Sequence, residues 1–284
     1  MTREHEADPV TKAEKARTAE VFNQVSSTYG EIVPFFSYFG ERLVAAAHVT
    51  DGHQVLDVAS GLGACLLPAA RVVGHTGRVV GIDISSEMVN NLNRAIEASA
   101  VRNANARLMD AEALEFADDS FDVVTCAFAV FFFPDRVGAL LEFARVLKPG
   151  GTVALSTFGD ETLAYPWFAD VVAPFLPEGP SPDSARLSHR RVDQHELHDQ
   201  LQRVGFAVPT SDIVDGPFRF DSVDAHWEWL MSNAYRFTIE RVEINQRENL
   251  RDAVAHRMEQ HRDADGYRFD RPARLTIARL AGSR

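Results

Sequence analysis

Residues 55–63 read Val-Leu-Asp-Val-Ala-Ser-Gly-Leu-Gly. An apolar strand pattern closes on Asp57, breaks into a glycine loop, and runs on into the apolar stretch Ala64 to Val73. That is the sequence form of a strand, a tight turn and a helix N-terminus, against whose backbone a nucleotide-like ligand sits. A second apolar strand, Arg78 to Ile82, ends in Asp83, 20 positions after Gly63. A carboxylate at that distance reaches the two hydroxyls of a ribose. The pair of features implies an adenosine-containing cofactor.

What the loop lacks narrows the cofactor. A dinucleotide fingerprint needs a third small residue for close helix packing, and the run Gly61-Leu62-Gly63-Ala64-Cys65-Leu66 has leucine there. Asp57 also puts a carboxylate where a pyrophosphate would lie, which favours a cation instead. S-adenosylmethionine, with its sulfonium and ammonium, is complementary to an acidic strand end. A G-x-x-x-x-G-K-[ST] phosphate loop is excluded, because the lysines are Lys12, Lys15 and Lys148 alone.

Four more segments follow in order: VVGIDIS (Val79 to Ser85), RLMDAE (Arg107 to Glu112), FDVVTC (Phe121 to Cys126) and VLKPGG (Val146 to Gly151). Together with the loop they resemble the class I S-adenosylmethionine-dependent methyltransferases. The closest likeness is to the bacterial small-molecule branch of ubiquinone/menaquinone C-methyltransferase-like and aklanonic acid methyltransferase-like enzymes. The motifs cover roughly residues 54–157, and FFSYFGERLV (Phe35 to Val44) extends the likeness toward the N-terminus. The resemblance implies that Asp57, Ala59, Gly61 and Gly63 surround the methionine part of the cofactor and that Asp83 holds the ribose. It places Ile84 and Met88 against the adenine, Asp110 on its exocyclic amine, the Ala111 backbone at its ring, and Cys126 among the cofactor contacts. Read without the resemblance, Asp83 is equally a helix N-terminal charge before Ser85 and Ser86, and Asp110 a turn residue. Ala59 stands where the family has its first loop glycine, and a negative φ is expected there.

Strands alternating with helices predict a Rossmann-like α/β fold, a seven-stranded mostly parallel sheet with helices on both faces and ligands at the strands' C-terminal ends. Strands are expected at residues 55–59, 78–83, 106–109, 121–127 and 152–157, with helices at 64–73, 86–99 and 135–147. Thr11 to Glu14 forms a capping box, predicting a helix from Lys12 to about Ser27; another is expected over residues 41–48. Residues 1–50 then make an N-terminal helical lid. The core is residues 51–157 and 193–284, interrupted by a helical insertion at 222–262. Prolines 174, 177, 180 and 182 mark residues 158–192 as a lid insertion. Asp193 with Glu196 starts a helix to Val204. An extended segment leads to Phe220, a helical stretch covers residues 224–260, and one closing strand, 268–280, holds Pro272 as a bulge or edge.

Composition limits the partners. The net charge is −12 over 284 residues, without the basic face of a nucleic-acid binder; the short run His189 to Arg191 reads as a solvated loop. No apolar run reaches the ~18 residues of a membrane span, and the start MTREHEADPV has no signal-peptide core, so a cytoplasmic chain is expected, a homo-oligomer being open. Cys65 and Cys126 lack C-x-x-C spacing and read as buried thiols, so no metal site is expected.

The acceptor side is aromatic. Strand four runs into Phe128, Phe131, Phe132 and Phe133 with no D/N-P-P-Y tetrapeptide and no acidic cluster for a metal. Phe35, Phe36, Tyr38, Trp167, Phe168, Trp227, Trp229, Tyr235 and Phe237 are the further candidates to enclose a hydrophobic small-molecule acceptor. The resemblance places Tyr29 near the sulfonium; His226 is the candidate base. Three activities fit: O- or C-methyl transfer to a hydrophobic molecule of secondary metabolism, a cyclisation or pericyclic step on a retained cofactor, and non-catalytic S-adenosylmethionine binding. Whichever holds, Asp83→Ala is expected to weaken cofactor binding by about 1 to 3 kcal/mol through loss of a charged acceptor; an unchanged affinity in calorimetry refutes the placement.

Overall fold

A computed structural model of the chain describes residues 9–30, 32–99, 101–159, 166–177, 192–233 and 235–282. The run His189 to Arg191 and most of the expected insertion at 158–192 lie outside the described residues. Five strands come first: β1 (Gln54–Val58), β2 (Arg78–Asp83), β3 (Ala104–Leu108), β4 (Phe121–Ala127) and β5 (Leu147–Phe158). With β6 (Thr210–Val214) and β10 (Ala273–Arg279) they form a seven-stranded sheet in the order β3-β2-β1-β4-β5-β10-β6. Pairs among the first five are parallel, and β10 runs antiparallel to both neighbours. A small antiparallel sheet, β7 (Pro217–Phe220), β9 (Gly266–Asp270) and β8 (Arg262–Asp263), stands apart from it.

The sheet is buried on both faces, as a parallel sheet requires. Leu56, Val58, Val80, Ile82, Val124 and Leu155 face one apolar cluster; Val55, Val79, Val123 and Ala154 face the other. The assignment alternates residue by residue, the period-two pattern of a strand. The first cluster takes Leu140 and Phe143 of α5 (Arg136–Val146) and Leu197 and Leu201 of α7 (Gln194–Arg203). The second takes Leu43 of α2 (Phe35–Ala46), Leu66 and Val73 of α3 (Leu66–Val73), and Leu92 of α4 (Ser86–Ala98). Three of these helices begin on a side-chain cap: Ser85 accepts from the Met88 amide at 3.1 Å, Asp135 from Gly138 at 2.8 Å, and Asp193 from Glu196 at 3.0 Å.

Chain direction reverses its march across the sheet at β1, with β2 and β3 on one side and β4 and β5 on the other. A crevice opens at the strands' C-terminal ends at such a switch point. Lys15, Thr18 and Phe22 of α1 (Pro9–Val25) cover it; α6 (Pro166–Val172), α8 (Val223–Met231), α9 (Tyr235–Glu240) and α10 (Arg247–Met258) complete the helices.

Several expected boundaries move. Helix α1 begins at Pro9, inside which Thr11 is an interior residue and no cap, because proline tolerates the first turn where no amide bond is lost. Helix α2 begins at Phe35, not at residue 41, so Phe35 and Phe39 become its buried face. The extended segment ending at Phe220 is two strands in two sheets, β6 and β7. The expected closing strand is also two: β9 ends at Asp270, and β10 starts at Ala273 after Arg271 and Pro272. Proline cannot donate to a ladder, so the chain changes sheets there. The helical stretch at 224–260 is α8, α9 and α10 with 3-10 turns at Ile244–Gln246 and Glu259–His261; the Asn233 side-chain amide donates to the Trp229 carbonyl and ends α8.

One close approach joins α2 to the loop after β1. Gly40 of α2 packs on the loop after β1, and a Cβ at that position would collide with the Ala64 carbonyl. Gly40→Ala is expected to destabilise the fold by about 1 to 3 kcal/mol, as overpacking does, and to weaken cofactor binding with it. Denaturant unfolding checks this; a wild-type midpoint overturns it.

Candidate active site

The chain turns left-handed as soon as β1 ends. Ala59, Gly61 and Gly63 have φ of 53°, 51° and 88°. Ala59 is therefore not at the expected negative φ. The Ser60 amide donates to the Ile82 carbonyl at 2.9 Å and the Gly61 amide to Asp83 Oδ2 at 2.9 Å, which pins the turn against β2. Alanine accepts the strained conformation at a cost of about 1 to 2 kcal/mol. At Gly63 a side chain would also meet Leu92 and Leu67, so this glycine serves helix packing.

The Asp83 carboxylate is the centre of the site. Oδ2 accepts from Gly61 and Oδ1 from the Ser85 amide at 2.9 Å, tying the loop to the N-terminus of α4. Burial raises its pKa, and the amides of Ser85, Gly61 and Ile84 pull it back. Asp57 lies deeper, 2% exposed; its Oδ1 accepts from Thr125 Oγ1 at 2.7 Å, and Oδ2 has no hydrogen-bond partner. Burial first, with the Asp83 charge adding to it, pushes its pKa up to about 7 against the hydrogen bonds that lower it.

A cleft of about 740 Å³ lies over the strand ends. Its walls include Tyr29, Ala59, Gly61, Asp83, Ile84, Met88, Asp110 and Ala111. Asp57, Gly63 and Cys126 do not line it: they are buried behind the loop, and burial raises the Cys126 thiol far above its usual range. Lys15 and Glu112 do line it, and the sequence reading missed both. Lys15 pairs with Asp110 Oδ2 at 2.7 Å and with Glu112, 95 positions or more along the chain, a separation no local pattern reveals. Burial alone would lower the Lys15 pKa; hydrogen bonds to Asp110 and Glu112 raise it. Asn23, also missed, accepts from Ser85 Oγ at 2.7 Å and from the Glu87 amide at 3.2 Å. Lys15 and Asn23 thus fasten α1 over the cleft.

A second cavity of about 500 Å³ is lined by Phe35, Phe36, Phe131, Phe158, Trp229 and Tyr235, among others. Phe22, Tyr29, Phe128 and Phe132 line both cavities and form the partition between them. Tyr29 stacks on Phe36 with centroids 4.6 Å apart and planes at 16°. Phe128 has φ 51°, held by its amide on the Ser156 carbonyl at 3.0 Å and on Ser156 Oγ at 3.2 Å. That strained backbone turns its ring into the partition.

His226 is not brought to either cavity. It is fully buried in α8, stacked 5.3 Å from Phe269 at 14° and 5.8 Å from Trp167 at 29°. Burial, helped by His261, pushes its pKa down to about 3, so it is a neutral packing residue. Trp167, Phe168, Trp227 and Phe237 likewise do not line the second cavity, and Tyr38 bonds outward to the Asp215 carbonyl at 3.0 Å. Among the described residues no cluster of His, Cys, Asp or Glu suits a metal, and no helix is long and apolar enough to cross a membrane.

A doubly wound sheet with an acidic, glycine-turned cleft at its switch point defines a nucleoside-binding α/β enzyme of the methyltransferase kind. The profile of the ubiE/COQ5 methyltransferase family matches residues 10–177, and the chain belongs to that family. An aklanonic acid methyltransferase of a Streptomyces strain is 38% identical over 165 residues, 58% of this chain and 75% of that protein. A nocamycin O-methyltransferase of Saccharothrix syringae is 31% identical over 253 residues, 83% of this chain and 90% of that protein. The crystal structure of the YcgJ protein of Bacillus subtilis shares the fold, with a TM-score of 0.58 at 21% identity over 87% of this chain and all of that one. The protein is an S-adenosylmethionine-dependent methyltransferase, with two free buried thiols, Cys65 and Cys126.

The residues fit that cofactor. Asp83 keeps lone pairs for the ribose beside its amide bonds, and Asp57, with one oxygen unpartnered behind the loop, would add a negative field toward a cationic ligand once ionised.

Two measurements probe the cleft. Because the Asp57 pKa is raised, the folded chain holds a proton that the unfolded chain releases between about pH 4 and about pH 7, so this group makes ligand-free stability fall as pH rises through that window. Neutral, isosteric Asp57→Asn removes that contribution: its melting temperature should gain on wild type from about pH 5 to about pH 8, and a constant difference overturns the assignment. Lys15→Met should loosen α1 and speed cofactor dissociation about fivefold, the worth of roughly 1 kcal/mol for a partly exposed ion pair. Stopped-flow release at the wild-type rate sinks that role.

Proposed function

We propose that the chain methylates an oxygen or carbon of a flat, hydrophobic small molecule of secondary metabolism. The observation that carries the reading is the shared partition: an acid-lined nucleoside cleft and an aromatic cavity meet at Phe22, Tyr29, Phe128 and Phe132. Methyl transfer is an in-line displacement, so donor and acceptor must lie on one line across a dry boundary. The relatives that act on aklanonic acid and nocamycin, by their names, support the acceptor class.

S-adenosylmethionine supplies the electrophilic methyl group on a sulfonium. The chain's own residues do the rest. Asp83 takes the ribose hydroxyls, Asp110 and the Ala111 backbone meet the adenine edge, and Ile84 and Met88 flank its faces. The aromatic partition excludes water and holds the acceptor at the reacting distance, with the Tyr29 hydroxyl as the polar atom beside it. Neither a carboxylate nor a histidine is among the described residues that line the second cavity. The acceptor therefore reacts as an already acidic enol, phenol or carboxylate, driven by proximity and desolvation.

Purified protein with S-adenosylmethionine and a panel of hydroxylated naphthoquinones and anthraquinones tests this. The expected product is heavier by one methylene unit, with one S-adenosylhomocysteine released per turnover. An isomerised product of unchanged mass replaces the reading with cyclisation. Binding without turnover across the panel and its reduced quinol forms points to a sensor.

A further inference from the structure

Resting on the placement of the cofactor's ribose at Asp83, we infer that Asn23 of α1 is a positioning residue for that ribose, acting through Ser85. Asn23 is not among the residues that line the cleft, although its neighbour Phe22 is. Its side-chain oxygen instead takes two hydrogen bonds from the turn between β2 and α4: Ser85 Oγ donates at 2.7 Å and the Glu87 amide at 3.2 Å.

Both donors belong to the segment that presents Asp83. The Ser85 amide donates to Asp83 Oδ1 at 2.9 Å, and the Ser85 hydroxyl accepts from the Met88 amide at 3.1 Å. A hydroxyl has one proton to give. Here it goes to Asn23, which fixes the rotor of a fully buried serine. The Glu87 amide is among the first of α4 and has no partner within the helix; Asn23 supplies its acceptor from 64 positions away. The N-terminus of α4 is therefore capped by two residues, its own Ser85 and Asn23 of α1, and the cap keeps Asp83, Ile84 and Met88 in one frame.

Helix α1 is also held at other points. Lys15 pairs with Asp110 and Glu112 in its first half, and Asn91 Nδ2 donates to the Ser26 carbonyl at 3.2 Å just past its end. Removing the Asn23 oxygen leaves these ties in place and lets the Ser85 hydroxyl turn away from Met88. Asp83 Oδ1 then loses a fixed partner. A carboxylate that grips two hydroxyls in a set geometry depends on such supporting hydrogen bonds.

The test compares S-adenosylhomocysteine with its 2′,3′-dideoxyribose analogue by calorimetry on the full chain. Wild type should bind the hydroxylated ligand at least about tenfold more tightly, the effect of hydrogen bonds to a charged group. In Asn23→Ala the ratio should fall to within about threefold, because the hydroxylated ligand alone loses contacts of that kind. Asn23→Asp keeps an acceptor oxygen for both donors and suits a helix N-terminus, so it should hold the wild-type ratio. Lys15→Met, which loosens α1 without touching Ser85, should weaken both ligands and leave the ratio as it is. A ratio that survives in Asn23→Ala, or is lost in Asn23→Asp, overturns the positioning role while Asp83 keeps the ribose. Asn23→Ser, whose hydroxyl stops short of both donors, should lose the ratio as alanine does and decides the matter if Asn23→Ala does not fold. Equal binding of the two ligands by wild type overturns the ribose placement, and the role of Asn23 falls with it.

Discussion

The Asp83 carboxylate joins three pieces of chain. One oxygen takes the Gly61 amide of the loop and the other takes the Ser85 amide at the start of α4, while the residue itself ends β2. Burying an ionised carboxylate is unfavourable, and these amide bonds are what make it tolerable. In return the loop cannot close over the strand ends, so the cleft stays open for a nucleoside. The left-handed turn at Ala59 follows from the same clasp: with Ser60 bound to Ile82 and Gly61 to Asp83, the backbone has no extended route out of β1.

What was legible in the sequence is what short-range chemistry specifies. The strand-loop-helix unit at 54–73, the carboxylate 20 positions after Gly63, and the helices at Ser85, Asp135 and Asp193 all follow from adjacent residues and appear in the structure. The seven-stranded sheet follows from strand-helix alternation. Boundaries failed where tertiary packing overrode local signals: Thr11 caps nothing because Pro9 already opens the helix, and residues 35–40 join α2 because Phe35 and Phe39 have a core to enter. Residues 268–280 read as one strand because period-two apolarity continues across Pro272, and only the presence of a second sheet reveals the break.

The site divides in the same way. Asp83, Ile84, Met88, Asp110 and Ala111, singled out by contiguous motifs, line the cleft. Lys15, Asn23 and Phe22 were not, because α1 reaches the cleft only through the fold and its sequence carries no pattern directed at Asp110 or Ser85. His226 misled in the opposite sense. A histidine beside tryptophan suggests a base, but its setting between Trp167 and Phe269 strips it of the solvation an imidazolium needs.

The two cavities solve opposite electrostatic problems with one partition. The cofactor cleft concentrates carboxylates, which suits a sulfonium and would expel an anion. The second cavity is aromatic, so on the proposed reading an acidic acceptor entering it would give up water and become more reactive toward a cationic methyl donor. Phe22, Tyr29, Phe128 and Phe132 stand in the walls of both. Phe128 holds a backbone conformation that phenylalanine rarely takes. Such strain persists only where the surrounding structure over-determines it, and here the Ser156 carbonyl and hydroxyl both hold the Phe128 amide.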